Sequence, residues 1–180
     1  MRVHASPSSD APVTEGAGAS HQPLLSGALR DRALHLVDAI IDTLCSAPAT
    51  GRRDASLASG SAGLAVCTGQ LARTRSHPHA ANAAFTRLEQ AIGVLATEPL
   101  MSSLYSGFTG IAWAVDLVDG LLGTEGEDRN DDIDEAVTRL VQRYPETGPY
   151  DLINGLTGLG VYALARWPRP CAAQCLLGVV

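Results

Sequence analysis

The chain has 180 residues, 13 Lys and Arg against 19 Asp and Glu, and a net charge of −6. That balance excludes functions built on phosphate neutralisation, whether of nucleic acid or of an anionic membrane surface. Hydrophobic residues make up 46% of the sequence, enough to bury a core, yet no apolar run approaches the roughly 18 residues of a membrane span.

Residues 1–23 (MRVHASPSSDAPVTEGAGASHQP) are rich in Ser, Ala, Gly and Pro and have no apolar period. They read as a disordered lead, with an ordered domain over 24–180. The lead contains no apolar signal core, so the expected location is cytoplasmic. The cysteines, Cys45, Cys67, Cys171 and Cys175, are sparse and fall in helical patterns. They point to a reducing compartment without a disulfide framework.

Leu29, Ala33, Leu36, Val37, Ile40, Ile41 and Leu44 recur at helical spacing, and Pro48 and Gly51 follow as stops. This is an amphipathic helix over about 29–44. Residues 61–73 come next, with Gly near their start and apolar side chains on most sides, the pattern of a buried helix. Phe85, Leu88, Ile92 and Leu95 mark a second amphipathic helix from about Ala80 to Ala96, closed by Pro99. Residues 108–122 are again apolar all round. Ile133, Ala136, Val137, Leu140 and Val141 mark a third amphipathic helix from Asp131 to Arg143, with Asp131, Asp132 and Asp134 in its first turn, where negative charge complements the helix dipole. Residues 156–166 form a third buried segment, and a further helix carries Cys171 and Cys175. No stretch alternates with period two, so the fold class is all-α.

An internal repeat organises these elements. Residues 56–64 read SLASGSAGL, residues 103–111 SLYSGFTGI and residues 151–159 DLINGLTGL. All fit [SD]-L-x-[SN]-G-x-[AT]-G-[LI]. The glycines align as Gly60/Gly63, Gly107/Gly110 and Gly155/Gly158, at intervals of 47 and 48 residues. A period of that length fits a two-helix unit. The leucine is expected to anchor each loop in the core. The Ser or Asn followed by Gly is expected to turn the chain into the buried helix, and the second Gly to admit another backbone at close range. Units with one amphipathic and one buried helix close more readily into an α/α toroid, buried helices inside, than stack as an open solenoid. In a toroid the glycine loops gather at one end.

One position breaks the pattern. Ser56 and Ser103 give way to Asp151, and Ser59 and Ser106 to Asn154. An aspartate there is either a loop-bonding residue or a site residue.

These motifs, above all residues 149–158 (PYDLINGLTG), resemble lanthionine synthetase C-like proteins over about residues 29–180. The resemblance implies a double α toroid of seven hairpins, with about three of the seven present here. Family cyclases use a zinc ion to activate a peptide cysteine, whose thiol adds to a dehydroalanine or dehydrobutyrine and closes a thioether ring. Zinc yields thiolate at neutral pH, and an acid–base group then protonates the enolate. The family's catalytic aspartate falls on Asp151. The family's zinc ligands, a Cys in one late motif and a Cys-His pair in another, and its active-site histidine belong to later repeats than those present. The expectation is therefore a cyclase portion inactive alone, without a metal site or cofactor of its own. The partners to expect are a precursor peptide or a companion chain completing the toroid.

The same residues admit other readings. A non-catalytic helical-repeat module binding a peptide or protein is the alternative. A glycan-processing toroid lacks a convincing carboxylate pair. Cys45 and Cys67 read as core residues, His77 and His79 as solvated loop histidines, and the acidic run at 125–135 as a solvated loop and helix start that does not follow an EF-hand. Uncovered inner-helix surface predicts association or partner dependence.

Overall fold

The structure is a computed structural model that describes residues 23–46, 54–75, 77, 79–124, 126 and 128–180. The predicted lead thus lies outside the described residues but for Pro23. Among the described residues there are seven helices and no strand: α1 (Gly27–Ser46), α2 (Ser61–Arg75), α3 (Ala80–Thr97), α4 (Phe108–Leu122), α5 (Asp131–Gln142), α6 (Leu156–Ala165) and α7 (Pro170–Val179). None is long and apolar enough to cross a membrane. The chain divides into two units, residues 1–35 and 36–180. In the first, the described residues 23–35 are exposed apart from the half-buried Ala33 and Leu34. The repeat lies in the second.

Each element follows its local chemistry. The three aspartates of α5 occupy its first turn, where the helix dipole favours them. Gly123 ends α4 at φ +66°, and its N–H bonds the Asp119 carbonyl. A left-handed cap of this kind favours glycine. Pro170 begins α7 at a position with no intrahelical N–H to lose.

Two apolar clusters make the core. Ala62, Ala65, Ala84, Leu88, Ile111 and Val118 belong to the first, between α2, α3 and α4. Val137, Val141, Leu156, Leu159 and Tyr162 belong to the second, with Ala112 of α4 on its edge and Cys175 of α7 closing it. α4 is the wall shared by both. Many of the first cluster's members are alanine, which lets helix axes approach closely. α2 packs on α4 and α4 on α6, so the buried helix of each repeat adjoins that of the next.

The repeat loops show one construction three times. Ser61, Phe108 and Leu156 donate their N–H groups to the carbonyls of Asp54, Met101 and Pro149, at 3.0, 2.8 and 2.9 Å. These bonds close a seven-residue loop before each buried helix. Gly107 and Gly155 have φ of −118° and −111°, extended backbone that any residue adopts. The expectation that glycine turns the chain there is therefore corrected: its role is steric. A Cβ on Gly60, Gly107 or Gly155 would fall on the loop's own first carbonyl oxygen. A Cβ on Gly63, Gly110 or Gly158 would fall on the carbonyl of Leu57, Leu104 or Leu152. Both glycines let a short loop fold flat onto the first turn of the helix it feeds.

Neighbouring loops are joined. The Ala58 N–H donates to the Tyr105 carbonyl at 3.0 Å, and the Tyr105 N–H to the Ile153 carbonyl at 3.4 Å. The leucine anchors differ from expectation. Leu104 is buried, Leu57 half-buried and Leu152 exposed.

Candidate functional site

The loop end of α6 holds Asp151. Its Oδ1 accepts two backbone N–H groups, from Ile153 and Asn154, each at 2.8 Å. The side chain is exposed. The backbone N–H of Asn154, then that of Ile153, hold its carboxyl below the usual carboxylate range, against a smaller opposing effect of burial. Asp151 is thus an ionised, pre-oriented carboxylate on an exposed loop. Ser56 does a related task in the first loop, where the Ser59 N–H donates to its Oγ at 3.3 Å. Ser103, at the same place in the second loop, is buried.

Tyrosines flank the third loop. The Tyr144 hydroxyl donates to the Pro149 carbonyl at 2.7 Å. Burial first, then the nearby Asp151 charge, push its phenol above its ordinary range. Tyr150 is exposed, and its hydroxyl donates to the Glu146 carbonyl at 3.3 Å. Thr157 on the first turn of α6 donates to the Tyr150 carbonyl. Tyr150, Leu152 and Ile153 therefore present an apolar rim around one fixed negative charge.

A second polar constellation lies farther along the buried helices. Arg166, at the end of α6, is buried. Its Nε lies 3.0 and 3.1 Å from the two carboxylate oxygens of Asp134, and its Nη2 2.7 Å from Oδ2. Nη1 reaches Asp116 of α4 at 2.7 Å, and Nη2 reaches Asp128 at 2.5 Å. Tyr162 donates to Asp134 Oδ1 at 2.6 Å, and the Cys171 thiol to Oδ2 at 3.1 Å. Arg169 also pairs with Asp128. Burial works against the guanidinium charge, but the carboxylates of Asp134 and Asp116 outweigh it and raise the Arg166 pKa. One guanidinium thereby ties α4, α5, α6 and the α4–α5 connection together. With the Arg166 donors engaged and Arg166, Asp134 and Tyr162 buried, the core of this cluster is a structural lock, while Asp116 and Asp128 stand at its partly exposed edge.

The run at 125–135 differs from the expected solvated loop and helix start, because Asn130 and Asp134 are buried. The available signal was charge inside apolar segments: Asp116 and Arg166 both interrupt buried helices, and such charges need partners. Two other expectations are corrected. His77 is partly covered, with Nε2 3.0 Å from Asp42 Oδ1. Cys67 is exposed and Cys45 half-buried, because α1 buries only Ile41 and does not wrap them in a core.

The described residues also bear on zinc. They bring together one group of three potential ligands, the carboxylates of Asp128, Asp131 and Asp134, within 4.8 Å of one another. Asp128 and Asp134 already neutralise Arg166, and an all-oxygen set is a poor match for the sulfur and nitrogen donors that zinc favours. Burial raises the thiols of Cys45, Cys171 and Cys175, the last to about 11, opposite to the thiolate a ligand must be. The described residues do not fit a zinc centre.

No curated protein matches the chain. The lanthionine synthetase C-like protein family matches residues 51–172, more than half of the chain. That span begins before the first repeat loop, contains all three and closes within α7. With the paired glycines in register at each loop, the match establishes that the chain belongs to the lanthionine synthetase C-like protein family.

Proposed function

We propose that the chain is a cyclase-type module of thioether peptide modification that presents a peptide-binding loop end and depends on residues outside its own set for zinc chemistry. The family match over the three repeats carries this reading. In the family reaction a peptide thiol adds to a dehydrated residue, and zinc supplies the thiolate.

What this chain's own residues contribute is binding and placement. The apolar rim of Tyr150, Leu152 and Ile153 offers a surface to a peptide backbone. Asp151, held ionised by two N–H groups, offers a hydrogen-bond acceptor to a peptide amide or a proton relay. Because Oδ1 is held by its own loop, Oδ2 is the oxygen directed to a partner.

The test combines zinc titration of the purified chain with a free-thiol assay on a dehydrated, cysteine-containing peptide. The expected result is peptide binding weakened by Asp151→Asn, no stoichiometric zinc and no loss of thiol. One tightly held zinc per chain together with thiol consumption would overturn the proposed dependence. Absence of any peptide binding would overturn the proposed role of the loop end.

A further inference from the structure

The outer layer of helices is interrupted between α3 and α5. α5 packs against α7, whereas among the described residues α3 and α5 do not meet. The gap lies over the second half of α4, and helices continue on both sides of it. The chain is also longer here. The connection from α4 to α5 spans eight residues, 123–130, where the other two connections that leave a buried helix, 76–79 and 166–169, have four.

A groove of about 880 Å³ occupies the gap, a size typical of ligand sites. Phe85 and Leu88 of α3 and Val115 of α4 give it an apolar floor, and Glu89, Asp116, Asp119 and Asp128 line it with carboxylates. A Cβ on Gly120 or Gly126 would meet nothing within 4 Å, so glycine leaves this space open. The long connection is pinned as the far wall. Arg129 Nη2 binds the two Asp119 oxygens at 2.8 and 2.7 Å, and Thr124 donates to Asp119 Oδ1 at 2.8 Å. Nearer α5, Asp128 is held by Arg166 and Arg169. The groove is therefore preformed.

Its charge does not balance. Asp131 and Asp134 bring their carboxylates within 4.8 Å of Asp128. Arg129, Arg166 and Arg169 are the cations at hand, and Arg166 is already shared by Asp116, Asp128 and Asp134. Glu89 is exposed, and no cation among the described residues pairs with it. We infer that the groove binds a basic peptide segment, with an apolar side chain on the Phe85, Leu88 and Val115 floor and lysine or arginine side chains against Glu89 and the acidic wall. The carboxylates stand on α3, on α4 and on the connection, so a chain with several cations meets more of them than one small amine. Such partly exposed pairs add little affinity singly. They select the sign of the partner, while the apolar floor supplies the burial. The groove adjoins the last turns of α4, whereas Asp151 precedes the first turn of α6. The inference does not depend on the cyclase reading.

The test uses a short fluorescent peptide of lysine and leucine, with its glutamate–leucine counterpart as control, and reads anisotropy on the full chain. Saturable binding of the lysine peptide alone is expected, weakening as salt rises. Glu89→Lys reverses a charge inside the groove, and Gly120→Trp fills its open space. Each is expected to weaken binding at least about tenfold. Glu98→Lys makes the same change of charge at the exposed end of the same helix, outside the groove, and is expected to weaken binding less than about twofold. Asp151→Asn is expected to leave it unchanged. Circular dichroism checks that each variant is folded, and Gly120→Leu is the substitute if Gly120→Trp is not. A wild-type chain that does not bind the lysine peptide, or binds the glutamate peptide as well, would overturn the inference. So would equal losses from Glu89→Lys and Glu98→Lys, which would mean general attraction to an acidic protein. Binding that survives a filled groove but falls with Asp151→Asn would assign the peptide to the loop end instead and overturn it too.

Discussion

The seam between α2 and α4 and the seam between α4 and α6 occupy equivalent positions but are built from opposite chemistry. The first sets Gly69 against Val118 and Leu121 in an apolar cluster rich in alanine. The second sets Asp116 against Arg166 and adds Asp128, Asp134, Tyr162 and Cys171. The glycine loops hold the spacing of both seams, so what fills the space between helices is free to change. Close approach needs no buried charge, as the first seam demonstrates. The second gains a guanidinium fork that fixes the relative placement of three helices and a connection, at the cost of desolvating it.

The largest expected effect removes the centre of the polar seam. Arg166→Leu leaves Asp134 buried without its own cation and with Asp116 and Asp128 beside it, Arg169 pairing only with Asp128. Removing one member of a buried pair costs about 3–5 kcal/mol, so the chain is expected to unfold at markedly lower denaturant. A midpoint shift as small as that of an exposed substitution would show that the lock does not hold the seam.

Next come the sockets that both seams share. A Cβ on Gly110 meets the Leu104 carbonyl and the Leu57 side chain, and overpacking of this kind costs about 1–3 kcal/mol. Gly110→Ala is expected to lower the melting temperature and Gly93→Ala not to, since a Cβ on Gly93 meets nothing within 4 Å.

A smaller effect of opposite sign distinguishes the apolar seam. Gly69 lies in the interior of α2, and a Cβ there makes ordinary contacts near 3.6 Å. Gly69→Ala is expected to stabilise by about 0.5–1 kcal/mol through reduced chain entropy. Destabilisation in thermal melts would mean that the seam is tighter than its distances indicate.

The smallest effect is local to the third loop. Asp151 has a depressed pKa in the folded chain, so its contribution is present above the usual carboxylate range and is lost as pH falls through the lower folded value. Hydrogen exchange at Ile153 and Asn154 is expected to lose protection on acidification, after correction for the intrinsic rate. The corresponding Tyr105 amide, bonded to a carbonyl, is expected to change less. Equal responses at the two loops would remove the proposed distinction.

Much of the organisation was legible in the residues. The alternation of one-sided and all-round apolar segments located α1 to α6, with boundaries at Ser61, Ala80, Phe108, Asp131 and Leu156 where the glycines, prolines and aspartates placed them. The glycine pairs fixed the register, because their need is local: each relieves a clash within its own loop. Asp151 stood out by its chemistry, and the structure adds that it bonds its own loop.

Burial was less legible. Leu57, Leu104 and Leu152 occupy one motif position, yet the first is half-buried, the second buried and the third exposed. The helices and the repeat register were readable from the residues alone, since they depend on contacts a few residues apart, whereas the steric role of the first glycine in each pair emerged only from the folded loops. Only the tertiary structure decided which copies are covered and that Asp116, Asp128, Asp134 and Arg166 converge, because exposure and ion pairing depend on what a neighbouring repeat places at the same height.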